Sequence, residues 1–283
     1  MKKLIYVLLL SQLVWVTGCR KDLIDYFGGT HGNKKYTVNF RLGGLNHNVG
    51  EPNVGFQTEP LQNYIGQLSI IAYSIASGEE VARQTQLSSE PNFGQIAFSL
   101  PQGNYSFVAA GSKTPFGINR FYQTAATPDI KLQESQAFMQ YLFNGPSEGD
   151  KNYITSDTFL AKDTVNITAN KTVDMMMQRI IGAIEVSFND TPTFNAELRG
   201  EMTGYPFNSG IPFGGVVVRP HFYVNTAANG PLKLLILATA GTLWLDIDPP
   251  MANPIRVVIP VQKNKTTKVS GNIYSNQLTF TFQ

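Results

Sequence analysis

The chain has 283 residues, with 22 Lys+Arg against 20 Asp+Glu, and no run of five basic residues. That balance gives nucleic-acid binding no support. Charged residues are only 15%, and a single cysteine excludes both an intramolecular disulfide and a cysteine-based zinc site.

Met1, Lys2 and Lys3 give a positive start, and residues 4–17 follow without a charge. That run is shorter than the roughly 20 apolar residues a membrane span needs, and it has the length of a signal-peptide core. Val16-Thr17-Gly18-Cys19 resembles the lipobox of bacterial lipoproteins, with Val16 where Leu is commoner. The resemblance implies a signal peptide over 1–18, cleavage between Gly18 and Cys19, and a diacylglycerol on the Cys19 sulfur. The alternative is an ordinary secretory signal with an incidental cysteine. Loss of residues 1–18 removes Lys2 and Lys3 but no acid, which leaves the chain formally neutral. Residues 19–35 read as a polar lipidated tether carrying Gly28, Gly29 and Gly32.

Order begins at Tyr36, where Val38, Phe40 and Leu42 alternate with Thr37, Asn39 and Arg41, the period of a half-buried strand. Residues 66–76 are apolar on both faces and predict a central strand, turned by Ser77 and Gly78 into a hairpin partner over 81–87. Residues 93–100 alternate through Ile96, Phe98 and Leu100. Pro101-Gln102-Gly103-Asn104 then predicts a hairpin turn, Pro presetting φ and Gly supplying a positive φ. Between 111 and 171 the pattern is weaker. Residues 130–142 fit a short helix or a long connection, 153–160 and 164–168 look like strands, and the polar stretch 162–171 suits a domain boundary.

A second strand-rich block follows. Val173, Met175 and Met177 are apolar at odd positions, whereas Ile180, Ile184, Val186 and Phe188 are apolar at even ones. One strand cannot keep one buried face through that change, so a bulge or sharp bend is expected near 178–180. Further strands are expected at 194–198, 216–224, 232–239, 242–247 and 255–261. The last strand carries Leu278, Phe280 and Phe282 on one face and Thr279 and Thr281 on the other. Many short strands separated by turns imply an all-β sandwich or barrel fold.

Catalysis needs convergent reactive groups, and none stand at recognisable spacing. His31, His47 and His221 are scattered, and no His-Glu-x-x-His, nucleophile-elbow, Walker or dinucleotide glycine pattern occurs. The expectation is a non-enzyme without metal or cofactor. Asp246 and Asp248 share a strand face that could hold a cation, but they lack further loop ligands, and a solvated strand end before Pro249 is the better reading. Met175, Met176 and Met177 fit core filling better than a soft-metal site. Asp163-Thr164-Val165 resembles the O-glycosylation site of Bacteroidetes-type exported proteins, which implies a glycan on Thr164; the start of a strand is the alternative.

The order of motifs resembles the fimbrillin superfamily of Bacteroidales type V pili, nearest to its minor, anchor-type lipoprotein subunits. The motifs are the lipobox; Leu68-Ser-Ile-Ile-Ala-Tyr73; Phe98-Ser-Leu-Pro-Gln-Gly-Asn-Tyr-Ser-Phe-Val-Ala109; Met177-Gln-Arg-Ile-Ile-Gly-Ala-Ile-Glu-Val-Ser-Phe188; Ile255-Arg-Val-Val-Ile-Pro-Val261; and Val269-Ser-Gly-Asn-Ile273. The resemblance places Arg179 at the opening of a C-terminal domain, with Ala183 or Gly182, Ile184 and Val186 behind it. It implies two tandem transthyretin-like β-sandwich domains, over 36–168 and 169–283. It also implies an outer-membrane lipoprotein at the base of a fimbrium, supporting cell adhesion, with other fimbrial subunits and the membrane as partners and no nucleic acid. Stalk and tip subunits of that family are cut after an arginine. Arg41 lies inside a predicted strand, and no other Arg stands in an exposed loop of that region, which favours the anchor. A free-standing surface lipoprotein that binds a glycan or a host or matrix protein is the competing expectation. The terminal strand, with Leu278, Phe280 and Phe282, is a candidate for donation to a neighbouring subunit; completing its own sandwich is the alternative.

Overall fold

The structure, a computed structural model, describes residues 34–52, 55–56, 58–119, 121–124, 127–131, 133–141, 155–191, 193–214, 230–237, 243–250, 253–275 and 277–282. Alternation sets the first strand. β1 (Lys35–Gly43) buries Val38, Phe40 and Leu42 and exposes Thr37, Asn39 and Arg41. β2 (Gln67–Ser74) is buried along nearly all its length, because β3 (Glu80–Leu87) pairs with one edge through a turn in which Gly78 takes φ 72°. β4 (Ala97–Pro101) pairs with β1, and β5 (Gly103–Ser112) takes the other edge of β2.

The turn at 101–104 is therefore not a hairpin. It is an arch between two sheets. Gly103 already belongs to β5 and takes no positive φ. The Tyr105 hydroxyl closes the arch by donating to the Pro101 carbonyl at 3.0 Å.

Next come β6 (Phe116–Ile118), the hairpin of β7 (Phe121–Thr124) with β8 (Thr127–Lys131), and β9 (Phe138–Tyr141), antiparallel to β6. Residues 130–142 thus hold the end of one strand, a single 3-10 turn at Glu134–Gln136, and another strand. β10 (Thr158–Ile167) is one strand where two were expected, and it pairs with β5 from end to end. β11 (Lys171–Met176) runs parallel to β1. The sequence reading assigned these residues to the second unit, yet Val173 and Met175 fill the first core.

β12 (Gln178–Arg179) then joins β10, and β13 (Ile181–Phe188) opens a new sheet. The change of parity at 177–180 is thus a change of sheet and not a bulge. β14 (Asn195–Arg199) follows, and β15 (Gly204–Pro206) crosses back to pair with β9. β16 (Leu232–Leu237) pairs with β13 and β17 (Leu243–Asp248) with β14, so the strands expected at 232–239 and 242–247 belong to two different sheets. β18 (Ile255–Ile259) pairs with β17, β19 (Thr266–Asn272) runs parallel to β13, and β20 (Gln277–Phe282) closes antiparallel on β19. The strand expected at 216–224 lies outside the described residues.

The result is all-β and built of sandwiches. The β11-β1-β4 sheet packs on β12-β10-β5-β2-β3 around Val38, Phe40, Leu68, Phe107, Phe159 and Met175. Phe40 meets Phe98 and Phe107 edge-on, each at 5.2 Å. Pairs of this kind are worth about 0.5–1.5 kcal/mol beyond burial. The β16-β13-β19-β20 sheet packs on β14-β17-β18 around Ile184, Val186, Leu245, Ile259 and Val269. A third apolar layer joins the halves, with Ile71, Val108, Met139 and Tyr141 meeting Ile181, Tyr205 and Leu237. Among the described residues no helix is long and apolar enough to cross a membrane.

Candidate assembly interface

A sheet edge carries unpaired backbone donors and acceptors, so it is the natural place for another chain to add. β20 is such an edge. Six of its residues pair with β19, and no further strand pairs with it among the described residues. Of its side chains, Gln277, Thr279 and Thr281 are exposed and Leu278 is half-buried. Phe280 and Phe282 stand opposite Val269 and Thr267 in the backbone register. The other residues singled out from sequence are dispersed. Cys19 and Gly18 lie outside the described residues. Thr164 is exposed in the middle of β10, opposite Ser106, and not at the start of a strand.

Among the described residues, a densely bonded polar group joins the two halves. Arg179 has a fully buried side chain. Its Nε and Nη2 donate to the two Asp157 carboxylate oxygens at 2.6 and 2.8 Å. Nη1 donates to the Asn48 carbonyl at 2.6 Å and Asn264 Oδ1 at 2.8 Å, and Nη2 to the Asn46 carbonyl at 2.9 Å. The guanidinium also lies 4.7 Å from the Phe159 ring centroid. Asn264 belongs to the second half and answers from there. Its Nδ2 donates to the Glu51 carbonyl at 2.8 Å, and its backbone takes φ 53°, a left-handed conformation that asparagine tolerates better than most residues. Close approach is enforced nearby. Gly44 has φ 81°, and a Cβ there would sit 2.2 Å from the Met177 carbonyl oxygen.

The weaker reading of Asp246 and Asp248, a cation site, fails on geometry. Asp246 accepts from Arg256 Nε at 2.6 Å and Nη2 at 2.7 Å, and from Arg199 Nε at 2.6 Å. Its carboxylate is already occupied by two cations, and no cluster able to hold a metal occurs among the described residues. The Arg256 hydrogen bond, assisted by Arg199 and opposed by partial burial, pulls the Asp246 carboxyl down to about 2. A carboxyl lowered by folding stabilises the fold above its unfolded value, near 4, and loses that contribution as pH falls through its folded value. Asp246→Asn is therefore expected to cost about 1 kcal/mol at pH 7, after allowance for solvent screening. Melting curves of the two proteins should converge between pH 4 and pH 2. A gap that stays constant with pH would remove the carboxylate from the account.

The methionine run fills the core as expected, with Met175 and Met177 buried and Met176 exposed. His47 stacks on Tyr64 with centroids 4.4 Å apart, and its Nε2 lies 3.6 Å from Glu59. The sequence reading missed the Arg179 junction as a physical object. Its only local signal was an arginine between Met177 and a run of apolar residues.

A family model for the fimbrillin-A associated anchor proteins Mfa1 and Mfa2 matches residues 31–281. No curated protein matches the chain. Among solved structures, a candidate adhesin from Bacteroides thetaiotaomicron VPI-5482 is similar at 12% identity and TM-score 0.55, over 88% of this chain and 95% of that one. A candidate cell adhesion protein from Bacteroides eggerthii DSM 20697 is similar at 9% identity and TM-score 0.55, over 88% and 96%. A candidate polysaccharide-binding protein from Bacteroides thetaiotaomicron VPI-5482 is similar at 10% and 0.53, over 83% and 90%. At these identities the likeness is one of fold. The family model covers nearly the whole length, and the chain belongs to the family of fimbrillin-A associated anchor proteins Mfa1 and Mfa2.

Proposed function

We propose that this chain is an anchor-type structural subunit of a fimbria, held in the outer membrane by acyl chains on Cys19. The observation that carries the reading is membership of the anchor family over residues 31–281. Membership makes the chain a structural subunit of the fimbrial and adhesin class at the cell surface, not an enzyme. The motif Val16-Thr17-Gly18-Cys19 supplies the means of attachment. Each buried methylene contributes about 0.8 kcal/mol and a single chain is marginal, so stable anchoring needs the two or more chains of a lipoprotein.

Cells fed a radioactive fatty acid should label the wild type and not Cys19→Ala, which should also leave the membrane fraction. Label and membrane retention that survive the substitution would sink the reading.

The same reading divides the chain into two sandwiches. The pairing of β11 with β1 supports a boundary at 177–180 in place of 168. It also makes β20 the strand lent to a neighbouring subunit. Its edge position and the exposure of Gln277, Thr279 and Thr281 support that role.

A further inference from the structure

Strand alternation decides what the outer face of β14-β17-β18 offers. Leu243, Leu245 and Ile247 point into the core, so Trp244, Asp246 and Asp248 point out. The register aligns them in rows. Arg199 stands beside Trp244 and Val258, Glu197 beside Asp246 and Arg256, and Asn195 beside Asp248. Trp244 is 38% exposed and Val258 is 58% exposed. Trp244 thus keeps over a third of its surface open, and its indole joins an apolar ring to an N–H able to donate.

The last row opens into a cleft of about 430 Å³ lined by Thr193, Phe194, Asn195, Asp248, Pro249 and Pro250. This is within the size range of small-ligand sites. From Trp244 to Asp248 the strand advances about 13 Å at roughly 3.3 Å per residue, the reach of a short oligosaccharide.

We propose that this face is a glycan-docking platform, on which a neutral oligosaccharide lies along β17 with one ring stacked on Trp244 and the following units reaching the cleft at Asn195 and Asp248. The chemistry selects this occupant. A protein partner of ordinary size needs a broad apolar core, and here Trp244 and Val258 are the only apolar side chains among the rows, with Phe194, Pro249 and Pro250 set apart in the cleft. An anionic ligand needs uncompensated positive charge. Both guanidinia are instead tied down, Arg199 to Glu197 at 2.9 Å and to Asp246, and Arg256 to Asp246. Such pairs hold the remaining N–H donors and carboxylate lone pairs in fixed positions, and the vicinal hydroxyls of a sugar supply donors and acceptors for both. This proposal goes beyond anchoring and does not depend on it.

The chain has tryptophan only at positions 15 and 244, so protein beginning at residue 20 reports on Trp244 alone. Its emission should be recorded while a soluble mannan, laminarin and an arabinogalactan are titrated in turn. Binding of each should also be measured by calorimetry. At least one polymer should shift the emission. Its affinity should fall at least about tenfold in Trp244→Ala and in Asp248→Ala, with melting temperatures close to wild type. If no polymer shifts the emission, or if binding survives Trp244→Ala, the platform does not exist. A concentration-dependent dimer in sedimentation, abolished by Trp244→Ala, would assign the face to a second copy of the chain and overturn the glycan.

Discussion

Arg179→Met should lower stability by about 3–5 kcal/mol, the usual penalty for removing one partner of a buried ion pair. For a chain of this length that moves the melting temperature by on the order of 10 °C. The substitution leaves the Asp157 carboxylate, 7% exposed, without its counterion. It also removes a guanidinium donor from the Asn46 and Asn48 carbonyls and from Asn264 Oδ1, the last two keeping only the backbone N–H of Glu51 and of Gly50. Methionine fills much of the volume, so the loss is electrostatic more than a matter of packing. Replacing both partners, as Arg179→Met with Asp157→Leu, should recover a large part of it, because no buried charge then stands alone. Thermal melts of the single and double variants decide the matter. A single variant within about 1 kcal/mol of wild type would mean that the junction holds by its apolar layer, and that the guanidinium network adds little.

A chain ending at Asn276 should stay folded and yet fail to retain pili on the cell. β20 lies at a sheet edge, and its Gln277, Thr279 and Thr281 are exposed. The centre of the second core belongs to other strands, through Ile184, Val186, Leu245 and Val269. The melting temperature should fall by no more than about 5 °C, while pili shed into the medium rise from few to nearly all. The two readouts separate the possibilities. If truncation makes the second half sensitive to protease or unfolds it, β20 serves its own sandwich and the donor role falls. Unchanged stability together with retained pili would remove β20 from assembly altogether.

Local alternation made the individual strands legible. Val38, Phe40 and Leu42 announced β1, and the doubly apolar run at 67–74 announced a central strand. Pairing was not legible, because the same residues serve two geometries. Pro101-Gln-Gly-Asn reads as a hairpin turn, but an arch between sheets needs the same sharp reversal. Only the partners of β4 and β5, β1 and β2 respectively, distinguish them. The break in parity at 177–180 was visible, but its cause lay in contacts with β1 and β10, over a hundred residues away for the first.

The sites divide in the same way. Asp246 beside Asp248 suggested a cation because the sequence hides that Arg199 and Arg256 sit on the flanking strands. Arg179 was noticed as part of a motif. Its partners Asn46 and Asn48, Asp157 and Asn264 come from three separate stretches, and no local period joins them.

The parallel pairing of β1 with β11 has a consequence under load. The two strands are matched over six positions, from Val38 opposite Lys171 to Gly43 opposite Met176. Both run toward the Arg179 junction. A tether pulling ahead of Lys35 drags β1 one way, while the second sandwich, joined through Met177, drags β11 the other. Tension along this axis slides the strands past each other, so the hydrogen bonds of the ladder share the load and fail together. A hairpin pulled open from its end would instead release its bonds one after another. A subunit fixed by its N-terminus and hauled from its far half would thus meet shear at its strongest geometry, with β4 holding the opposite edge of β1.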